Sequence, residues 1–437
     1  MRFIHSLRRS IAAALWLSFL PVASYADDWP QWRGPNRDGV WNESGILTQF
    51  DSPSLEPEWR SPVGSGYSGP TVSEGRVYVT SRLEKPNQVE QVHCLDRLTG
   101  EEIWKHVYDC EYVDIGYPLG PRASVAVSDG KAYALGAMGH FHCLDAATGR
   151  VLWQKDLSSE YDTSMPIWGI ASSPLVDDER VYLQVGGAPD ACIVAFDKDS
   201  GVEQWRSLNG KASYSAPHFI QQNDRRLLLV WTGDWLAALD PETGVPAWKR
   251  KMKRAKMVIN IPDAVVDTAA DRIFLSSFYD GSHLFQMTSG KPAIELLWSR
   301  KGINERKTDA LHTIIMTPLI RGDYVYGMDS FGEFRCLDLA SGDRVWSDQT
   351  LIEKGRWGTA FFVQNGERTW IFTENGDLVI ARLTPEGFER ISTTHIIEPT
   401  TFLPMRSGNI LWSHPAYAYK SIFVRNDREL ICVDLSE

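Results

Sequence analysis

Cysteine is scarce in this chain, with six in 437 residues, and no two are adjacent. Cys94, Cys143, Cys336 and Cys432 recur at a position that Ala195 and Ala238 fill in equivalent stretches. Each therefore reads as a small buried strand residue, since a buried thiol packs like a small hydrophobe. Only Cys110 and Cys192 fall outside that register, and the sequence leaves their redox state open. Positive charge is also in deficit, at 45 Lys and Arg against 56 Asp and Glu, net −11. That balance disfavours general nucleic-acid binding. Phosphate-cradling and dinucleotide glycine motifs, a His-Glu-x-x-His zinc motif and a Gly-x-Ser-x-Gly elbow are absent, which removes the commonest catalytic signatures. Helix-like periodicity is scarce as well.

The longest apolar run near the start, 11–20, is shorter than the roughly 20 residues a membrane span needs. It follows Arg2, Arg8 and Arg9 and precedes Ser24-Tyr25-Ala26. The pattern is that of a secretory signal cleaved after Ala26, with Sec or twin-arginine export left open. Residues 1–26 are thus expected to be removed, leaving a periplasmic or extracellular protein. No Cys follows the cleavage point to carry a lipid. Loss of three Arg takes the net charge from −11 to −14.

What the chain has in abundance is one pattern. The stretch 143–153 reads Cys-Leu-Asp-Ala-Ala-Thr-Gly-Arg-Val-Leu-Trp, and near copies occupy 94–104, 195–205, 238–248 and 336–346. The fixed positions are Asp96, Gly100 and Trp104, then Asp145, Gly149 and Trp153, then Asp197, Gly201 and Trp205, then Asp240, Gly244 and Trp248, then Asp338, Gly342 and Trp346. An Asp that accepts backbone N–H groups and a Gly that takes positive φ make a tight turn between strands. The Trp has the surface to fill the space between one repeat and the next.

Opening hairpins, best seen around Glu74-Gly75, recur eight times, near residues 68, 123, 172, 215, 263, 316, 358 and 413. Seven closing hairpins are complete. The fifth puts Gln286 where Asp is expected and reaches Trp298 after an insertion, and in the seventh Ile391 stands for Trp. The eighth begins at Cys432 and lacks its last strand, while a matching strand without a hairpin lies around Trp59. The count describes a circle: an all-β, eight-bladed β-propeller of four-stranded antiparallel blades, closed by the N-terminal strand around Trp59. The expected organisation is 27–56 as a Trp-rich clasp and 57–437 as one propeller domain.

The Ala/Cys-Leu-Asp-x-x-Thr/Ser-Gly-x-x-x-Trp repeat resembles that of the PQQ-like β-propeller family, from about Trp59 to the end. That family includes quinoprotein dehydrogenases and BamB-like envelope scaffolds. The dehydrogenase branch implies pyrroloquinoline quinone (PQQ) and calcium at the channel mouth, an Asp base and adjacent cysteines. No Cys-Cys pair is present, and no catalytic residue can be carried across.

Long blade-to-blade links at 105–121, 154–170, 299–314 and 392–411 should emerge on one face, where unstructured extra sequence tends to carry function. Tyr67, Arg122, Trp168, Tyr214, Trp357 and Trp412 lead into the innermost strands there and form a candidate contact surface. Large side chains also plug such channels. Lys249, Arg250, Lys251, Lys253, Arg254 and Lys256 make a basic loop on that face, suited to an anionic glycan, lipid headgroups or an acidic partner. The turn at Asp197 resembles the start of a calcium loop but lacks the later ligands. His140 and His142 share one strand face without further ligands, and no metal site is expected.

The reading is a secreted, non-catalytic scaffold without a cofactor that presents its loop-rich face to a protein or cell-envelope partner. A PQQ- and calcium-dependent dehydrogenase is the alternative, and a glycan-binding or glycan-cleaving propeller a third.

Overall fold

The computed structural model describes residues 28–437, so the signal-peptide reading for 1–26 lies outside the described residues. Eight four-stranded antiparallel sheets form in chain order over 71–109, 126–156, 175–207, 218–251, 265–300, 319–348 and 360–395, with the eighth over 416–434 completed by Trp59–Pro62. That first strand pairs antiparallel with Glu429–Asp434, Trp59 opposite Cys432. The ring is an eight-bladed β-propeller, and joining its two ends in one blade leaves no open junction.

The repeat performs the role its residues suggest. Asp145 Oδ1 accepts from Thr148 N at 2.9 Å and Thr148 Oγ1 at 2.8 Å, and Gly149 N donates to Asp145 O at 2.8 Å. Gly149 sits at φ +73°, and a Cβ there would lie 2.6 Å from Trp104 of the preceding blade. The same Trp donates from Nε1 to Ala146 O at 3.0 Å, and Trp59, Trp153, Trp205, Trp298 and Trp346 dock likewise on Arg97, Lys198, Pro241, Leu339 and Thr384 carbonyls. Trp248 meets the degenerate fifth blade, and donates to Gln222 Oε1 at 2.8 Å instead. Trp59, Trp104, Trp153, Trp205 and Trp298 therefore each cover a neighbour's turn glycine and satisfy a carbonyl that the turn leaves over.

The outermost strands run past the Trp, as in Glu102–Asp109. One detail differs from the sequence reading. In the seventh blade the register pairs Ile380 with Ser392 and leaves Ile391 in a bulge, so Ser392 holds the Trp position. There the clasp supplies the packing: Phe50 N donates to Ser392 Oγ at 2.9 Å, and Phe50 and Trp41 both pack on Trp370.

All six cysteines are free and buried, and Cys110 and Cys192 do not pair. Desolvation pushes the Cys192 thiol up to about 12, as expected of an inert core residue.

Candidate functional site: an aromatic cavity floored by the N-terminal clasp

Within each blade the tight repeat turns lie on one face, while the blade-to-blade links emerge on the other. Residues 28–56 enter from the turn face. Trp29 bridges Val72 in the first blade, Pro30 accepts from Val127 in the second, and Gly39 and Trp41 bridge Gln364 in the seventh. Buried Arg37 donates to the carbonyls of Ser173, Pro174 and Pro217 and, from Nε, to Gln31 Oε1 at 2.8 Å. The clasp thus reaches innermost strands around the ring and stoppers the channel from below.

Trp32 is its innermost side chain. Its Nε1 donates to Asp263 Oδ2 at 2.6 Å, Arg33 lies 3.7 Å from the same carboxylate, and its ring meets His414 edge-on at 4.2 Å between centroids. The sequence reading treats this Trp-rich segment as a clasp; the structure also makes Trp32 part of a cavity wall. A cavity of about 130 Å3 opens above it on the link face.

All six residues singled out on that face, Tyr67, Arg122, Trp168, Tyr214, Trp357 and Trp412, line this cavity. Tyr117, Ile261, Ile314, Ile315, Phe361 and His414 join them, none of which the sequence reading named. Tyr117 bridges the aromatic arc, with ring centroids 5.6 Å from Trp357 and 5.9 Å from Trp412. Trp168 packs on Tyr214 at 5.1 Å. Tyr117 sits in the link after the first blade, and only the length of that link pointed there.

Arg122 lines the cavity and also holds a link in place. Its guanidinium donates to Gly116 O at 2.8 Å, Tyr117 O at 2.7 Å and Gly120 O at 3.2 Å, and lies over Tyr67 at 4.9 Å. It folds the link that carries Tyr117. The same link is tied further out by the buried carboxylate of Glu90, which accepts from Tyr112 and Tyr108. Trp357 has φ +65°. A bulky residue in the left-handed region costs about 1–3 kcal/mol and persists where surroundings impose it. Here Trp357 N donates to Ser330 O at 2.9 Å and Arg356 covers the ring at 4.5 Å.

The recess is mainly apolar, with Arg122 as the one charged side chain on its wall. Burial pushes Tyr214 up to about 12 and raises Tyr67 and Tyr117, so the phenols stay protonated. Burial drives His414 down to about 4 and leaves it uncharged. Its Nε2 is 2.8 Å from Ser124 Oγ, a spacing found in nucleophile–base pairs. Ser124, however, is 1% exposed and does not line the cavity. No carboxylate lines the cavity either. Calcium takes six to eight oxygen ligands, and a tricarboxylate quinone needs cations with free donors. The only cation on the wall, Arg122, is engaged by three carbonyls, so these residues do not fit PQQ with calcium. Among the described residues no group of three His, Cys, Asp or Glu is placed to hold a metal. His140 and His142 pack at a tilt against Tyr108, with ring centroids at 5.4 Å and 4.3 Å.

The basic segment is not one loop. Lys249, Arg250 and Lys251 belong to the outermost strand Pro246–Lys251 of the fourth blade, and Lys253, Arg254 and Lys256 follow in the link above it. Two of the long links also carry structure: a helical turn, Leu157–Glu160, and a small hairpin, Thr401–Phe402 with Asn409–Ile410.

The fold and cavity define a closed PQQ-like repeat propeller with a blind aromatic mouth. The chain belongs to the family described as outer membrane protein assembly factor BamB, whose model matches residues 88–348, more than half its length. Among solved structures, BamB from Moraxella catarrhalis is similar at TM-score 0.57 and 15% identity, covering 89% of this chain and 100% of that one. Quinohemoprotein alcohol dehydrogenase from Comamonas testosteroni is similar at TM-score 0.66 and 14% identity, covering 94% and 80%. The computationally designed Ika8 protein follows at TM-score 0.55 and 11% identity, covering 88% and 100%. At such identities the likeness is one of fold. No curated protein gives a significant match. No helix among the described residues is long and apolar enough to cross a membrane.

Proposed function

We propose that this protein is an exported, non-catalytic envelope scaffold that docks a protein partner at its mouth face, the partner seating an apolar side chain in the aromatic cavity. The observation that carries this reading is the composition of the cavity wall: aromatic and aliphatic side chains, neutral phenols, a neutral His414, one guanidinium engaged by three carbonyls, and no carboxylate. Such a recess offers contact area and hydrogen-bond donors, the features of a binding hot spot. It offers no acid–base pair for catalysis. Family membership supports an envelope setting and a protein partner.

The test is capture of partners from the native envelope by the wild-type protein and by Trp357→Leu and Tyr117→Leu variants with unchanged melts. The reading expects a partner retained by the wild type and lost by both variants. Equal recovery by all three rejects the mouth as the docking face.

A further inference from the structure

Among the described residues the basic ridge on the fourth blade makes no ion pair except at Arg254, which meets Asp234 at 2.8 Å. Lys249, Arg250, Lys251, Lys253 and Lys256 are exposed, in a chain whose overall charge is −11. Groups of both signs on other elements face it. Asp280, in the turn above the fifth blade, caps Ala255 N at 2.6 Å, and Lys301 acts on the same carboxylate from the next link. Lys211, exposed in the link before the fourth blade, packs against Gly233.

The ridge is joined to the cavity by a continuous run of contacts. Lys256 Nζ lies over the Tyr279 ring at 4.6 Å, Arg356 reaches Tyr279 Oη at 3.3 Å, and the Arg356 guanidinium covers Trp357 at 4.5 Å. Trp357 is a wall of the cavity. Ile261, also on the wall, follows Lys256 by five residues, which places the two within about 18 Å even for a fully extended chain.

We infer that the segment docked at the mouth is acidic on one side of its anchor: one aromatic or large apolar residue enters the cavity, and a run of Asp or Glu about four to six residues away lies along the Lys249–Lys256 ridge. This rests on the mouth being the docking site, and adds the chemistry and polarity of what docks. The charges complement across the rim, where they steer association and fix register. The cavity is concave, and Trp357 on its wall is only 8% exposed, a shape that admits an inserted side chain and not a flat surface.

The experiment is fluorescence anisotropy on the full mature protein with labelled synthetic peptides. The first carries about four acidic residues, a Gly/Ser spacer of about four, and one Trp. The second replaces the acids by Ser, the third replaces the Trp by Ala, and the fourth reverses the order. The inference expects the first to bind best, and both the second peptide and the Lys253→Glu/Lys256→Glu protein to bind about tenfold more weakly. Added salt should narrow that difference, because exposed charges are screened. If the Trp matters but acids, order and the two lysines do not, the acidic inference falls and the docking reading stands. If the Trp and Trp357→Leu are also without effect, or no peptide binds, both fall. Lysine-dependent binding to phosphatidylglycerol vesicles with no peptide selectivity overturns the inference in favour of a membrane surface.

Discussion

The ring of Trp32 stands edge-on to the ring of His414, 4.2 Å between centroids, and in that contact the first described residues of the chain meet the opening of its last blade. Trp32 floors the recess that Phe361 and His414 line with it. Trp32→Ala should therefore enlarge the cavity downwards while leaving the blades intact. The expected result is a Tm drop with unchanged far-ultraviolet circular dichroism and increased binding of a small apolar dye.

Turn glycines should divide by what lies above them. Gly149 and Gly130 share positive φ, at +73° and +68°, but a Cβ at Gly130 meets nothing within 4 Å, whereas at Gly149 it meets Trp104 at 2.6 Å. Gly130→Ala should cost about 1–2 kcal/mol for the backbone alone. Gly149→Ala should cost about 2–4 kcal/mol, because the displaced indole adds to it. Urea denaturation of both variants measures the difference.

Arg37 should matter more than its distance from the mouth suggests. It is 6% exposed, and its guanidinium is committed to three carbonyls from the third and fourth blades. Arg37→Met keeps the volume and leaves those carbonyls without a donor, which should cost about 1–3 kcal/mol. The plug is expected to loosen first, visible as faster proteolysis in 28–56 before global unfolding.

Acid should weaken the fold in two overlapping windows. Burial pushes His414 to about 4 and His142 to about 3, below the ordinary 6.5. Their unfolded forms take up protons first. The stability they contribute is complete above pH 6.5 and is lost as pH falls from there through about 4 for His414 and about 3 for His142. Asp96, Asp145 and Asp197 are held below the usual carboxylate value, mainly by hydrogen bonds from Thr99, Thr148 and Ser200, so their contribution is lost only below about 3.8. Denaturation midpoints at pH 7.5 and 5 should differ less in His414→Gln than in the wild type.

The architecture was legible because each repeat states its own hydrogen bonding: Asp145, Thr148, Gly149 and Trp153 are local in sequence, and even the orphan strand at Trp59 could be matched to Cys432 by counting. The six mouth residues were found by the same logic, as positions leading into innermost strands. What escaped the sequence depends on contacts between distant segments. Trp32 reaches Asp263 across the ring, Tyr117 takes its place through Arg122, and Ser392 shows as the seventh Trp position only once the bulge at Ile391 is seen. Nothing local to those residues encodes their partners.

The account centres on a mouth that binds a partner's side chain instead of supporting quinone chemistry. Its most direct test is a thermal melt of the mature protein with PQQ and calcium, alone and together, followed by a dye-linked alcohol oxidation assay. The account predicts an unchanged Tm and no turnover. A saturable rise in Tm with both present, accompanied by turnover that Trp357→Leu abolishes, would contradict it.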